Sequence, residues 1–237
     1  MKRIDLIEKL KKYPVFDLRI VKNTTGKDSN YAKLAVYRLK KSNLISEIER
    51  NKYTTNKDSL IIASNIIWPC YISCWPALRY YNLTEQLPQV ISVITTKSRK
   101  KKRVNFNNTT IAFIKTKPKY FFGYKREWHG GFNIFIAGKE KALIDSALFR
   151  KISFSEISSI VRNNTGVVDT NLLAEYLLKI RNKALIKRFG FLLDKLGIDN
   201  YNKFKKLIDL KYVPVDYALP KEGKKDKRWR VIDNVGL

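Results

Sequence analysis

Asp28-Ser29-Asn30-Tyr31-Ala32-Lys33-Leu34-Ala35-Val36-Tyr37-Arg38-Leu39-Lys40-Lys41 is the stretch on which the fold turns. Asp28 or Ser29 is a favourable N-cap. Tyr31, Ala35 and Leu39 recur every four residues and form one apolar face with Leu34, while Ser29, Lys33, Tyr37, Lys40 and Lys41 lie roughly opposite. The spacing predicts a helix over 31–41 that packs by one face and offers the other. Upstream, Gly26 marks a turn, Asp17 caps a second helix bearing Leu18, Ile20 and Val21, and Ile4, Leu6, Ile7 and Leu10 stripe a first helix ended before Pro14.

Three short helices with a glycine turn before the third make a helix-turn-helix pattern. Downstream, Leu44–Ile48 and the segment around Tyr53–Thr55 flank the turn Glu49-Arg50-Asn51-Lys52, which reads as a β-wing. Residues 1–60 are therefore expected to form a winged helix domain that binds double-stranded DNA. Lys33, Lys40 and Lys41 would supply phosphate or guanine contacts, and Ser29, Asn30 and Tyr37 would probe base edges directly or through water. Arg50, Asn51 and Lys52 would reach phosphate or the minor groove, with Glu47 and Glu49 facing away from it.

The charge agrees with such a partner. The 237 residues hold 48 basic and 21 acidic side chains, a formal net charge of +27, on a chain that is 44% apolar and able to bury a core. The surplus is +8 in residues 1–60, +11 in 61–150 and +8 in 151–237. Its sharpest peak is Lys97-Ser98-Arg99-Lys100-Lys101-Lys102-Arg103, a solvated loop or a further nucleic-acid contact. A second peak, Lys221 to Arg230, holds Trp229, which could stack on a base or anchor the tail. No apolar run reaches membrane-spanning length, the start Met1–Lys9 lacks a secretory signal, and two cysteines make no disulfide framework, so a cytoplasmic location is expected.

Residues 61–150 read as an α+β domain with a mostly antiparallel sheet. Its strands are placed at Gln89–Thr96, Arg103–Phe106, Thr109–Lys115, Tyr120–Tyr124 and Gly131–Ile136, between a short helix at Ser73–Tyr81 and another at Lys139–Phe149. From 151 to 237 the period becomes helical: Leu172, Leu173, Tyr176, Leu177 and Ile180 form one stripe, and Leu185, Phe189, Leu192, Leu193 and Leu196 another that stops at Gly197.

Five segments in order carry a resemblance. They are Tyr71-Ile72-Ser73-Cys74-Trp75-Pro76-Ala77-Leu78-Arg79-Tyr80-Tyr81-Asn82-Leu83; Leu87-Pro88 through Thr96; Gly138-Lys139-Glu140-Lys141-Ala142-Leu143-Ile144-Asp145; Phe191 to Gly197; and Lys227-Arg228-Trp229-Arg230-Val231-Ile232-Asp233-Asn234-Val235. After a winged helix, this series resembles the AbiEi-type antitoxins of type IV toxin–antitoxin (abortive infection) systems, which are transcriptional regulators. Tyr71, Ile72, Ser73, Ala77, Leu78 and Leu83 match that family's Tyr-Ile-Ser-x-x-Ser-Ala-Leu-x-x-His-Gly-Leu, with Tyr81-Asn82 replacing His-Gly. Glu140, Leu143 and Asp145 match its Glu-Arg-Thr-Leu-x-Asp, with Lys141-Ala142 replacing Arg-Thr. The resemblance implies binding to inverted repeats in the protein's own promoter and opposition to a cognate nucleotidyltransferase-like toxin, with or without direct contact.

No enzyme signature competes strongly. Cys70, Cys74 and the single histidine, His129, fall short of a four-ligand zinc site, and no glycine-rich phosphate loop occurs. Glu140 and Asp145 sit about 140° apart on one helix. No catalytic residue, cofactor or metal is assigned. The alternative is an RNA-binding protein or a metal-dependent nuclease that uses the basic middle region, with Tyr120, Phe121, Phe122 and Tyr124 as stacking surfaces.

Overall fold

The computed structural model describes residues 3–237. The fold is α+β, with ten α-helices and mixed sheets among the described residues. The chain forms two compact units that interleave in sequence. The first holds the chain up to Ile72 with Gln89–Lys117 and Lys125–Ile136, and the second holds Ser73–Pro88, Pro118–Tyr124 and Ala137–Leu237.

The first unit opens with α1 (Arg3–Leu10), α2 (Leu18–Thr25) and α3 (Ser29–Lys41), followed by the antiparallel hairpin β1 (Ser46–Glu49) and β2 (Lys52–Thr54). The polar residues at the boundaries explain the helix starts. The Asp17 carboxylate accepts from the amides of Arg19 and Ile20, and Asp28 accepts from Tyr31 N at 2.8 Å. Gly26, at φ 66°, ends α2 in the left-handed region that a side chain rarely tolerates. Leu6, Leu10, Phe16, Val21, Ala32, Val36, Leu39, Ile45 and Tyr53 make one core. A backbone bridge between Phe16 and Tyr53 fastens the hairpin to the helices.

The buried stripe of α3 is Ala32, Val36 and Leu39, rather than Tyr31, Leu34, Ala35 and Leu39 as the fourfold spacing suggested. Both stripes are helical in period. Close packing of α2 on α3 selects the one with the smaller side chains, because Ala32 and Val36 let the two backbones approach, and Leu34 and Tyr31 are left 43% and 37% exposed.

After α4 (Ser59–Asn65) comes a six-stranded sheet formed by β3 (Cys70–Ser73), β4 (Val90–Thr95), β5 (Arg103–Phe106), β6 (Thr109–Lys115), β7 (Tyr124–His129) and β8 (Phe132–Ala137), in the order β5-β6-β4-β3-β8-β7. It is mixed rather than mostly antiparallel: β4 runs parallel to β6 from Val90↔Thr110 to Thr95↔Lys115, β3 runs parallel to β8, and β5 is antiparallel to β6. The reason is a crossover. Residues 96–102 carry the chain past the β6 position to the sheet edge, and the tight Asn107-Asn108 turn, both residues at positive φ, returns it to fill the gap. The expected strand Tyr120–Tyr124 is instead a 3₁₀ turn at Pro118–Tyr120 and a short loop, and the strand starts at Tyr124.

The second unit contains α5 (Trp75–Tyr80), α6 (Lys139–Leu148), α7 (Phe154–Asn163), α8 (Thr170–Ile180), α9 (Lys183–Lys195) and α10 (Tyr201–Phe204). It also holds a three-stranded sheet, in the order β10-β11-β9, of β9 (Val213–Pro214), β10 (Lys224–Asp226) and β11 (Val231–Asp233). The α9 stripe is as expected, with Leu185, Phe189, Leu192 and Leu193 buried. Trp229 lies fully buried against Gly190 of α9, where a β-carbon would come within 2.0 Å of its ring. Trp229 therefore anchors the tail. Among the described residues no helix is long and apolar enough to cross a membrane.

Candidate nucleic-acid interface

With Ala32, Val36 and Leu39 turned inward, Asn30, Lys33, Leu34, Tyr37 and Lys41 occupy a solvent-facing arc of α3 about 100° wide. All five are exposed, Tyr37 to 62%. Ser29 and Lys40 flank this arc on one side and Arg38 on the other. The helix carries Lys33, Arg38, Lys40 and Lys41 and no acid. Sequence reasoning missed Arg38 and the outward position of Leu34, and a helical wheel centred on Ala32, Val36 and Leu39 would have found both.

The acids of the hairpin are neutralised by specific cations. Glu47 bonds the Lys40 ammonium, and this hydrogen bond holds Lys40 above the ordinary lysine pKa. Glu49 accepts the guanidinium of Arg99 at 2.5 Å and the Lys52 ammonium at 2.9 Å, and Lys52 also donates to the Ile66 carbonyl. Arg99 in addition lies 3.9 Å from the ring centroid of Phe113, with its side chain only 11% exposed. Arg50 is exposed at the hairpin turn. Its neighbour Asn51, at φ 59°, accepts from Leu18 N at 3.1 Å and so holds the start of α2 against the turn.

These links sort the candidate residues. Arg99, Lys52 and Asn51 are engaged in tethers. Lys33, Lys41, Arg50, Lys97, Lys100, Lys101, Lys102 and Arg103 are exposed and make no ion pair among the described residues. The Glu49–Arg99 bridge brings the basic crossover loop beside the hairpin turn, so α3, the hairpin and residues 97–103 belong to one unit and share one concentration of positive charge.

The motif residues of the second unit form a buried polar network. Ser73 Oγ donates to Asp145 Oδ2 at 2.8 Å, and Lys141 bonds the other carboxylate oxygen, all three residues being buried. Glu140, four per cent exposed, accepts from Asp169 N at the start of α8. Near the C-terminus Asp194 takes both the Trp229 indole N–H at 3.1 Å and Arg228 at 2.8 Å, joining the Phe191–Gly197 segment to the Lys227–Val235 segment. Burial pushes the thiols of Cys70 and Cys74 each up to about 12, which suits packing and opposes nucleophilic use. His129 bonds Asp58 at 2.8 Å at the start of α4. Phe122 packs against Tyr176 and beneath Lys179, and Phe121 against Tyr124. Among the described residues no three His, Cys, Asp or Glu side chains cluster as a metal site.

No protein-family model matches the chain, and no curated protein does.

Proposed function

We propose that the protein is a DNA-binding transcriptional regulator of the AbiEi-antitoxin type. On this reading α1–α3 and the β1–β2 hairpin are a winged helix-turn-helix, with α3 as the recognition helix and Arg50 at the tip of the wing. The observation that carries the reading is the acid-free outward face of α3, Asn30, Lys33, Leu34, Tyr37 and Lys41, on a unit whose hairpin acids are already neutralised by Lys40, Lys52 and Arg99. Such a face fits the major groove: Lys41 and Lys33 meet phosphate or guanine, Asn30 meets adenine, and Leu34 meets a thymine methyl. Lys97, Lys100, Lys101, Lys102 and Arg103 extend the contact to flanking phosphates, and this gives the +11 of residues 61–150 a use. The second unit, built on the network of Ser73, Lys141 and Asp145, would oppose a nucleotidyltransferase-like toxin.

The test is a mobility-shift titration on the DNA upstream of the protein's own gene, with RNA and with magnesium as separate arms. Neutralising about six to ten phosphates lowers affinity by roughly 10³ to 10⁵ between 50 and 200 mM salt. Lys33→Ala and Tyr37→Ala should each weaken binding, Tyr37→Ala with altered sequence preference. Unchanged affinity and preference in both would remove the recognition-helix assignment, and binding to RNA alone, or magnesium-dependent cleavage, would replace the regulator with the RNA-directed alternative.

A further inference from the structure

Among the described residues, six of the large apolar side chains left exposed, Ile4, Tyr13, Tyr31, Leu34, Tyr37 and Leu44, lie within the first 45 residues. Ile4, on α1, is 75% exposed and lines an open concavity of about 540 Å³ together with Arg3, Ile7, Ser42 and Leu44. A second hollow of about 250 Å³ adjoins it across Arg3, between α1 and α3. Ile4 and Ile7 thus leave an apolar strip along α1 open to solvent, a surface that can meet its own copy across a two-fold axis.

The geometry points to antiparallel pairing of α1 with α1 of a second copy of this chain. Charge selects that occupant. In a molecule of net +27, self-association is opposed wherever basic residues face each other, yet the charged residues of α1, Arg3 and Lys9 against Asp5 and Glu8, sum to zero. Glu8, which bonds Lys11 of its own chain at 2.6 Å, keeps a side chain 62% exposed that can accept a second cation. Arg3, Ile4, Ile7 and Glu8 fall within an arc of about 140°. When two such helices run antiparallel about a two-fold axis between positions 5 and 6, Ile4 meets Ile7 of the partner subunit and Arg3 meets Glu8 of the partner subunit. Each of these contacts is made twice. Apolar contact and charge pairing thus agree on one register, as in antiparallel helix pairs generally.

The consequence rests on the DNA-binding reading: paired copies would present two α3 helices to the two halves of an inverted repeat. Each α1 is about 12 Å long, and two such helices bury less than the ~1,200 Å² of a stable interface. The free dimer is therefore weak, with a dissociation constant on the order of 100 µM, and adjacent half-sites strengthen it by raising the effective concentration.

Sedimentation of the full chain at concentrations up to about 1 mM, in salt near 0.3 M so that exposed charges are screened over roughly 6 Å, tests the pairing directly. Arg3→Glu and Glu8→Arg should each weaken dimerisation at least tenfold, and the double variant, which restores the complementary pair, should recover the wild-type constant within about threefold. Ile4→Glu should abolish the dimer, and circular dichroism should show all four variants folded, since the side chains are exposed. A chain that stays monomeric throughout, a dimer indifferent to either single change, or a double variant that fails to recover would overturn the pairing. Because none of these measurements uses DNA, a dimer with this charge pattern that binds no DNA would leave the pairing standing and remove only the regulator reading.

Discussion

Glu49 in the β1–β2 hairpin holds the guanidinium of Arg99 across 50 residues of chain, while the same guanidinium lies 3.9 Å from the ring centroid of Phe113 of β6. The most basic loop in the protein is therefore pinned by Arg99, whose side chain is largely buried, and its exposed lysines are left free to act. Arg99→Ala should destabilise the first unit by about 1–3 kcal/mol, through the lost pair and the lost stacking together. Lys100→Ala or Lys101→Ala should leave stability within about 0.5 kcal/mol but lower the salt slope of DNA binding by about 1 each. Denaturant melts and salt titrations of the same variants separate the two roles.

The Lys40–Glu47 bond makes an opposite prediction for an acid. In the folded protein Lys40 is drawn to the β1–β2 hairpin rather than to solvent, and on the proposed reading the bond would cost α3 one phosphate contact. Glu47→Gln removes a negative charge from the face proposed to meet DNA and releases Lys40. Affinity for DNA should rise several-fold, to roughly tenfold at low salt, and the salt slope should steepen by about 1. An unchanged shift-assay affinity would mean that Lys40 does not reach the duplex.

Which parts were legible in the sequence follows from where their determinants lie. The boundaries of α2 and α3 rest on Asp17, Gly26 and Asp28, all within three residues of what they cap, and the α9 stripe is a local period. The strands at 103–106 and 109–115 were equally readable from their β-branched and aromatic runs. Their partners were not, because the parallel pairing of β4 with β6 depends on a crossover whose direction no local pattern records. Similarly, Asn51 reads as a wing contact until Leu18 N is found against its side chain, and Arg99 reads as one more loop cation until Glu49 and Phe113 are seen beside it. The rotation of α3 is not legible for a related reason: two stripes have the right period, and how closely α2 approaches decides between them.

The buried trio of the second unit gives a further prediction. Lys141 and Asp145 are both fully buried, one turn apart on α6, with Ser73 donating to the same carboxylate. Lys141→Met strands the carboxylate without its cation and should cost about 3–5 kcal/mol. Replacing both residues, Lys141→Met with Asp145→Leu, removes the stranded charge and should recover most of that loss, since apolar residues of similar volume often substitute for a buried pair at little cost. Chemical denaturation of the two singles and the double forms a cycle. A double variant no more stable than Lys141→Met would show that the network fixes α6 through something other than charge pairing.

Asp209 contributes to the acid limit of the same unit, as do Asp199 and Asp216, whose carboxyls are also held below the ordinary value. Hydrogen bonds from Lys187 and then Lys183 hold its carboxyl down to about 2, and Lys187 is itself 1% exposed, bonded to Asp209 at 2.5 Å and to the Lys211 carbonyl. A carboxyl whose folded pKa lies below its unfolded value of about 3.8 contributes stability that is present above that value and is lost as pH falls toward 2. The wild type should therefore show an acid limb between pH of about 4 and 2. Asp209→Asn leaves the buried Lys187 ammonium with neutral oxygen acceptors only. It should be less stable than wild type at neutral pH, should lose the part of the acid limb that this carboxyl supplies, and should converge with wild type near pH 2. Thermal melts of both proteins across this range decide the matter: parallel curves, offset by the same amount at every pH, would mean that Asp209 acts by shape and not through its charge.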